Sequence, residues 1–286
     1  MDGLAERFEE HRGHLRGVAY RVLGSLTEAD DAVQEAWLRF SRTDIDSVEN
    51  LTGWLRTVVS RVCLDMLRSR KARREELVGQ QIPDRSADVD TEQEVLQTDM
   101  VGRALLVVLD TLTPVERIAF VLHDMFAVPF DQIALIVDRT PGAAKKLASR
   151  ARRRLRGNPT VSTAELARNR RVVEAFLAAS HAGDLDALLA VLAPDVVRRA
   201  DPAALPPGAA TEVRGARNVA EGAVVFGRRA RFAEVALVNG TVGVVVAPRG
   251  RLLSALVVRV AGDRVAEYEV IADPARLRAL DLGVLG

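Results

Sequence analysis

Two Thr-Pro steps, Thr113-Pro114 and Thr140-Pro141, constrain the fold of this chain more tightly than any other feature. A threonine hydroxyl can accept from the backbone of a first helical turn, and proline at the first helical position sacrifices no needed N–H. Glu116, three residues after Thr113, completes a capping-box pattern. Between the two starts, "VPFDQIALIVDRT" predicts a short helix ending at Asp138-Arg139. After the second, "PGAAKKLASRARRRLRG" predicts another. Two short helices across a tight turn have the sequence form of a helix-turn-helix. On the second helix Gly142, Lys145, Lys146, Ser149, Arg150 and Arg153 share one face, while Ala144, Leu147, Ala151 and Leu155 share the other. A basic face on a helix seated by its Ala/Leu side suits phosphates and guanine edges in a major groove. The competing reading is a solvated basic helix end that complements the helix dipole. Agreement of cap, turn and face favours DNA.

Upstream, the chain reads as helical from Leu4 to about Glu76. Leu15, Val18, Ala19, Val22 and Leu26 recur at helical spacing, and Thr27 with Asp30 gives a short capping signal for the next helix. In "EADDAVQEAWLRF", Ala32, Val33, Ala36, Trp37 and Phe40 form an apolar stripe, and Asp31, Gln34, Glu35 and Leu38 form an acidic ridge opposite it. In "WLRTVVSRVCLDMLRSRKARRE", Leu55, Val58, Val59, Val62 and Met66 form one face. Arg56, Thr57, Ser60, Arg61 and Arg68 fall largely on the other, and the helix ends in a basic run. Residues 77–99 lose periodicity and turn acidic around Pro83, as a linker would. From Asn158 onward two short helices through "DALLAVLAPDVV" and a further helix over Ala216 to Phe226 precede four β-rich segments. Turns at Asn239-Gly240, "PRGR" and Gly262-Asp263 suit hairpins.

A length of 286 residues exceeds one typical core and implies two or three domains. The net charge of +1 says little, because the charge is segregated along the chain. The single cysteine, Cys63, lies among apolar neighbours and reads as a buried thiol, against a disulfide framework or a Cys-based metal site. "MDGLAERFEEHRGHLRG" has no apolar h-region, and no apolar run is long enough to span a bilayer, so a cytoplasmic protein without a membrane partner is expected. No metal-ligand spacing, P-loop or nucleophile elbow is found; no metal, cofactor or catalytic residue is assigned.

The order of these elements (acidic amphipathic helix, Arg-bearing helix, acidic linker, helix-turn-helix) resembles the sigma-70 family, specifically its small extracytoplasmic-function (group IV) members. "EADDAVQEAWLRF" is similar to the family's polymerase-binding segment, "WLRTVVSRVCLDMLRSR" to the segment that opens and reads the −10 element, and the stretch from "LDTLTPVERIAF" to "RARRRLR" to the −35-reading domain. The resemblance implies that Asp31, Gln34, Glu35 and Leu38 dock on the largest-subunit clamp helices of core RNA polymerase. It implies −10 DNA contacts by Trp54, Arg56, Thr57, Ser60 and Arg61, with a core role open for Trp54. It implies −35 contacts by Lys145, Lys146, Ser149, Arg150 and Arg153. An anti-sigma partner is left open.

The C-terminal block resembles a SnoaL-like domain of the nuclear-transport-factor-2-like (NTF2-like) fold, carried by a subset of these factors. Of three family motifs, the linker's appears as Gln81-Ile82-Pro83-Asp84-Arg85 without its tryptophan. A glycine-rich loop is replaced by "ADPAALPPG", and the tail is kept as Ala272-Asp273-Pro274-Ala275-Arg276-Leu277. The resemblance implies interdomain regulatory contacts by Ile82, Pro83 and Asp84 with Asp273, Pro274 and Leu277. Relatives with this fold include isomerases and cyclases using a pocket Asp, His or Tyr. The residues available here are His181, Asp195, Asp201 and Tyr268, without an evident positioned partner.

The expected architecture is multidomain: two all-α sigma domains, the second with a helix-turn-helix, then an α+β domain with a curved antiparallel sheet. The boundaries expected are 1–76, a linker over 77–99, 100–157 and 158–286. The expected function is promoter-specific transcription initiation regulated by the fused domain. The alternatives are a ligand-sensing DNA-binding regulator acting without polymerase and a SnoaL-type isomerase or cyclase with a DNA-binding appendage.

Overall fold

A computed structural model describes residues 2–43, 48–76, 102–227 and 232–285. The chain divides into a first unit, Met1–Leu96 with Leu109–Arg153, and a second, Gln97–Val108 with Arg154–Gly286. Ile82, Pro83 and Asp84 lie outside the described residues.

The first unit is helical. Helices α1 (Asp2–Leu23), α2 (Leu26–Phe40) and α3 (Leu51–Glu76) pack against one another. Their seam holds Phe8, Leu15, Tyr20, Phe40 and Leu55, each nearly or fully buried. The α2 start differs from the expected one. Ser25, not Thr27, is the N-cap, and its hydroxyl accepts from the Glu28 amide at 3.4 Å. Gly24 in a left-handed conformation ends α1 just before it, which leaves only Ser25 to turn the chain.

Helix α4 (Arg103–Leu109) precedes α5 (Pro114–Phe120), which runs into a π-helical turn over Val121–Met125. The Thr113 capping box forms as the sequence indicates. Its hydroxyl accepts from the Glu116 amide at 3.4 Å, while Glu116 Oε2 accepts from the Thr113 amide at 3.2 Å. Helix α6 (Phe130–Val137) closes on Asp138 in a left-handed conformation. Helix α7 (Pro141–Arg156) then starts from Thr140, whose hydroxyl accepts from the Ala143 amide at 3.3 Å. This is the helix-turn-helix, and its α5 and α6 pack against α3.

The second unit holds α8 (Thr163–Ala182), α9 (Leu185–Val191), α10 (Ala216–Gly227) and a seven-stranded sheet. The strands are β1 (Leu192–Ala200), β2 (Glu212–Arg214), β3 (Ala233–Val238), β4 (Thr241–Val246), β5 (Ser254–Ala261), β6 (Arg264–Ile271) and β7 (Leu282–Gly283). A short helix α11 (Pro274–Arg278) precedes β7. Their order is β2-β1-β6-β5-β4-β3-β7. The sheet is mixed rather than antiparallel throughout, because β1 pairs with β6 in parallel. The expectation also fails at "LAPDVV". These residues open β1 instead of extending a helix, since a strand partner in β6 outweighs the local helical propensity of the Leu/Ala run. The β3–β4 hairpin turns on Asn239 and Gly240, both with positive φ, the arrangement a two-residue type I′ turn requires. Helix α4 belongs to this unit apart from Leu109. The Ala104 amide donates to Glu234 Oε2 at 3.0 Å, and the Arg103 guanidinium lies 5.0 Å from the Phe232 ring centroid.

Candidate polymerase and nucleic-acid interfaces

Helix α2 buries Ala29, Ala32, Val33, Ala36 and Phe40. The opposite side is therefore left to water. Asp31, Gln34 and Leu38 are exposed, Leu38 at 41%. Glu35 is half-buried and pairs with Arg39 at 3.1 Å. One leucine standing in an acidic surface combines steering charge with an apolar contact point.

Helix α7 buries Ala144, Ala148, Ala151 and Leu155, four positions on one face. Lys145, Lys146, Ser149, Arg150 and Arg153 are all exposed. Arg152 pairs instead with Asp124 at 3.2 Å, pinning the helix to the π-helical turn. The helix thus offers four cations and a hydroxyl, with its own packing supplied by the other face.

Helix α3 carries the expected −10 residues in three different environments. Trp54 is half-buried and packs 6.1 Å from the Phe40 ring, so it belongs partly to the core. Thr57 donates to the Gly53 carbonyl at 2.9 Å within its own helix. Ser60, expected on the DNA-facing side, is fully buried. The cause is that α3 is covered by α5 and α6 as well as by α1 and α2, and Ser60 falls on a covered side. Arg56 Nη2 donates to Gln132 Oε1 at 2.7 Å, and Arg61 Nη2 donates to the Leu135 carbonyl at 2.8 Å. Both arginines are therefore held by α6. Nothing in the sequence indicates these contacts, because they join residues 76 and 74 positions apart.

Cys63 sits deep in this unit. Burial pushes its thiol up to about 12, against the opposing pull of Arg117. At neutral pH it is a protonated, inert side chain.

In the second unit the tail motif is structural in its local contacts. Asp273 Oδ1 accepts from the Ala275 and Arg276 amides at 2.9 Å each, capping α11. Asp201 Oδ2 accepts from the Ala272 and Asp273 amides at 3.0 Å each, and its other oxygen pairs with Arg276. Burial opposes ionisation of Asp201. The two amides and Arg276 together outweigh it, and the carboxyl lies below its ordinary range. Pro274 is the first residue of α11 and Leu277 is half-buried.

The four titratable candidates for pocket chemistry do not converge. His181 and Asp195 are exposed, Asp201 anchors the tail, and Tyr268 lines a cavity. Burial pushes the Tyr268 phenol up to about 12.

A sigma-70 region 2 model matches residues 7–73, which contain α1 to α3 nearly whole. A sigma-70 region 4 model matches residues 102–155, from α4 through α7. With these two modules in this order, and with the relatives that follow, the chain belongs to the family of extracytoplasmic-function (ECF) RNA polymerase sigma factors. The ECF RNA polymerase sigma factor SigJ of Mycobacterium tuberculosis is 38% identical over 248 residues, covering 82% of this chain and 78% of its own. A probable ECF RNA polymerase sigma factor SigI of the same organism is 37% identical over 204 residues, covering 70% of each chain. The crystal structure of the Mycobacterium tuberculosis SigJ covers 96% of this chain and 98% of its own at 32% identity, with a TM-score of 0.45.

Proposed function

We propose that this sigma factor binds core RNA polymerase through the α2 ridge, reads the −35 element with α7 and engages the −10 element with α3. The observation that carries the reading is the division of labour between exposed faces. An acidic ridge with one apolar residue stands on α2, a basic face on α7, and each is left outward by the packing of its own helix. Acidic carboxylates repel DNA and suit a basic-rimmed protein surface, whereas Lys145, Lys146, Arg150 and Arg153 suit phosphates and base edges. A regulator acting without polymerase has no use for the ridge. The protein acts in the cytoplasm, where polymerase and promoter DNA are found, and the polymerase performs the chemistry.

The same reading assigns a resting character to the compact first unit. Arg56 and Arg61 reach DNA only after α6 releases them. Binding to polymerase, which separates the two modules along the promoter, would supply that release. We assign the second unit a regulatory role. It contains Arg103–Val108 at one end of the −35-reading module and Arg154–Gly157 at the other. A change in the second unit therefore acts on residues that belong by sequence to the DNA-reading module. The expected contact of Asp273, Pro274 and Leu277 with the linker at Ile82, Pro83 and Asp84 remains part of this proposal. The domain boundaries proposed are those expected from the sequence, with α4 assigned to the regulatory unit.

Co-purification of the tagged chain with core RNA polymerase, followed by sequencing of bound promoters, tests the reading. It predicts enrichment of one −35/−10 pair at fixed spacing, lost when the ridge is reversed in charge. Enrichment of DNA sites without polymerase would favour the stand-alone regulator.

A further inference from the structure

Arg198 and Arg199 are adjacent on β1 and point to opposite faces of the sheet, as strand alternation requires. Arg199 is furnished with carboxylates. It pairs with Glu212 at 3.0 Å and with Glu267, which also holds Arg259 at 3.0 Å. Arg198 has none. It faces the side covered by α8 and α10, where its Nη1 is buried without a hydrogen-bond partner.

That side of the sheet is hollow. A cavity of about 380 Å³ is lined by Phe176 and Leu177 of α8, Gly222 and Ala223 of α10, and the inward rows of the strands. The register aligns those rows. Ala200, Val270, Leu256 and Val244 form one, and Arg198 and Tyr268 face the cavity from the next. Among the described residues that line the cavity, Arg198 is the only charged one. The volume lies at the lower end of small-molecule pockets, about 300–1,000 Å³. Leu253, 60% exposed, is also among the lining residues.

We propose that this cavity is a binding site for a small monocarboxylic acid with an apolar body, its carboxylate paired with Arg198 and its body laid along the Val/Leu rows. The chemistry follows from what the lining lacks. An unpaired guanidinium against apolar walls is costly, and a planar carboxylate satisfies it with two parallel hydrogen bonds. A dicarboxylate or a phosphate would bury a second charge against walls that offer no other cation. Tyr268, the register neighbour of Arg198 on β6, keeps its phenolic proton at neutral pH and provides a donor rather than a competing anion. Gly222 leaves the helix side of the cavity open, since a Cβ built there meets nothing within 4 Å.

The test uses the full chain with neither polymerase nor DNA, so it stands or falls apart from the sigma-factor reading. Decanoate and decanol are titrated separately by calorimetry, and thermal unfolding is followed in parallel. The expected result is saturable binding of decanoate, at least about ten-fold tighter than that of decanol, as a hydrogen-bonded charge pair implies. Arg198→Leu should reduce decanoate to the level of decanol while raising the unfolding midpoint of the ligand-free protein, because the buried Nη1 that lacks a partner is removed. A purely structural arginine would lower that midpoint instead. Gly222→Phe, which places a ring into the cavity without disturbing Arg198, should abolish binding of both probes. Equal affinity for decanoate and decanol in the unaltered protein overturns the proposal. So does absence of saturable binding by either, or decanoate binding unchanged in the Gly222→Phe protein, whatever the fate of the Arg198→Leu chain.

Discussion

Arg56 donates from Nη2 to Oε1 of Gln132 at 2.7 Å, so a cation of α3, the helix proposed to engage the −10 element, is held by the first helix of the helix-turn-helix. Arg61 is held by the same helix through the Leu135 carbonyl. The side chains that would meet DNA are thereby used to keep the two modules together. Gln132→Ala should loosen this contact and free Arg56. A hydrogen bond to a charged group contributes about 1.5–3 kcal/mol at most, and the partly buried setting lowers that. The variant should bind single-stranded −10 oligonucleotides about threefold more tightly or better. Anisotropy titration of a labelled oligonucleotide reads this directly, and unchanged affinity would show that the contact does not restrain α3.

Reversing the ridge with Asp31→Lys and Glu35→Lys should lower association with core polymerase by about ten-fold or more, as loss of charge complementarity at an interface does. Both residues lie opposite the buried stripe of α2, and the Glu35–Arg39 pair lost with them is an exposed i,i+4 bridge. Stability should therefore change by no more than about 0.5 kcal/mol. A pull-down and a denaturation curve on the same preparation separate the two effects.

Alanine at Lys145, Lys146, Arg150 or Arg153 should sort the basic face into two kinds of contact. A phosphate-contacting residue should weaken holoenzyme binding across all promoters and reduce the salt slope by about 1. A base-reading residue should relax preference at one −35 position by about 1–3 kcal/mol. Salt-dependent binding to a set of single-base −35 variants makes the assignment.

The tail anchor should be acid-labile. The Asp201 carboxyl lies below the ordinary value of about 3.9 in the folded chain, so its contribution is present above that value and fades as pH falls through the lower folded one. Asp201→Asn should lower the thermal midpoint at neutral pH, and the gap from the unaltered protein should close in strong acid. Parallel melting curves over this range check it.

The capping signals at Thr113 and Thr140 are legible because they are local, involving an hydroxyl and an amide within one turn. The α2 ridge and the α7 basic face are legible for a related reason, since a helix's own apolar stripe fixes what its other side must be. Ser60 is not legible. Periodicity shows one buried face of α3, whereas burial of Ser60 depends on helices more than fifty positions away in sequence. The parallel pairing of β1 with β6 fails for the same reason, its partner lying beyond four intervening strands and a helix. Arg198 looks in sequence like its neighbour Arg199. Only the register shows that one meets carboxylates and the other a cavity.

Reconstituted transcription tests the central claim most directly. Core RNA polymerase, the purified chain and a template bearing the enriched −35/−10 pair should yield a transcript with one discrete 5′ end. That transcript should depend on the chain and disappear when Asp31 and Glu35 are reversed in charge. Polymerase that initiates equally well without the chain, or a chain that binds the same duplex as tightly and specifically alone as with polymerase, would contradict the account.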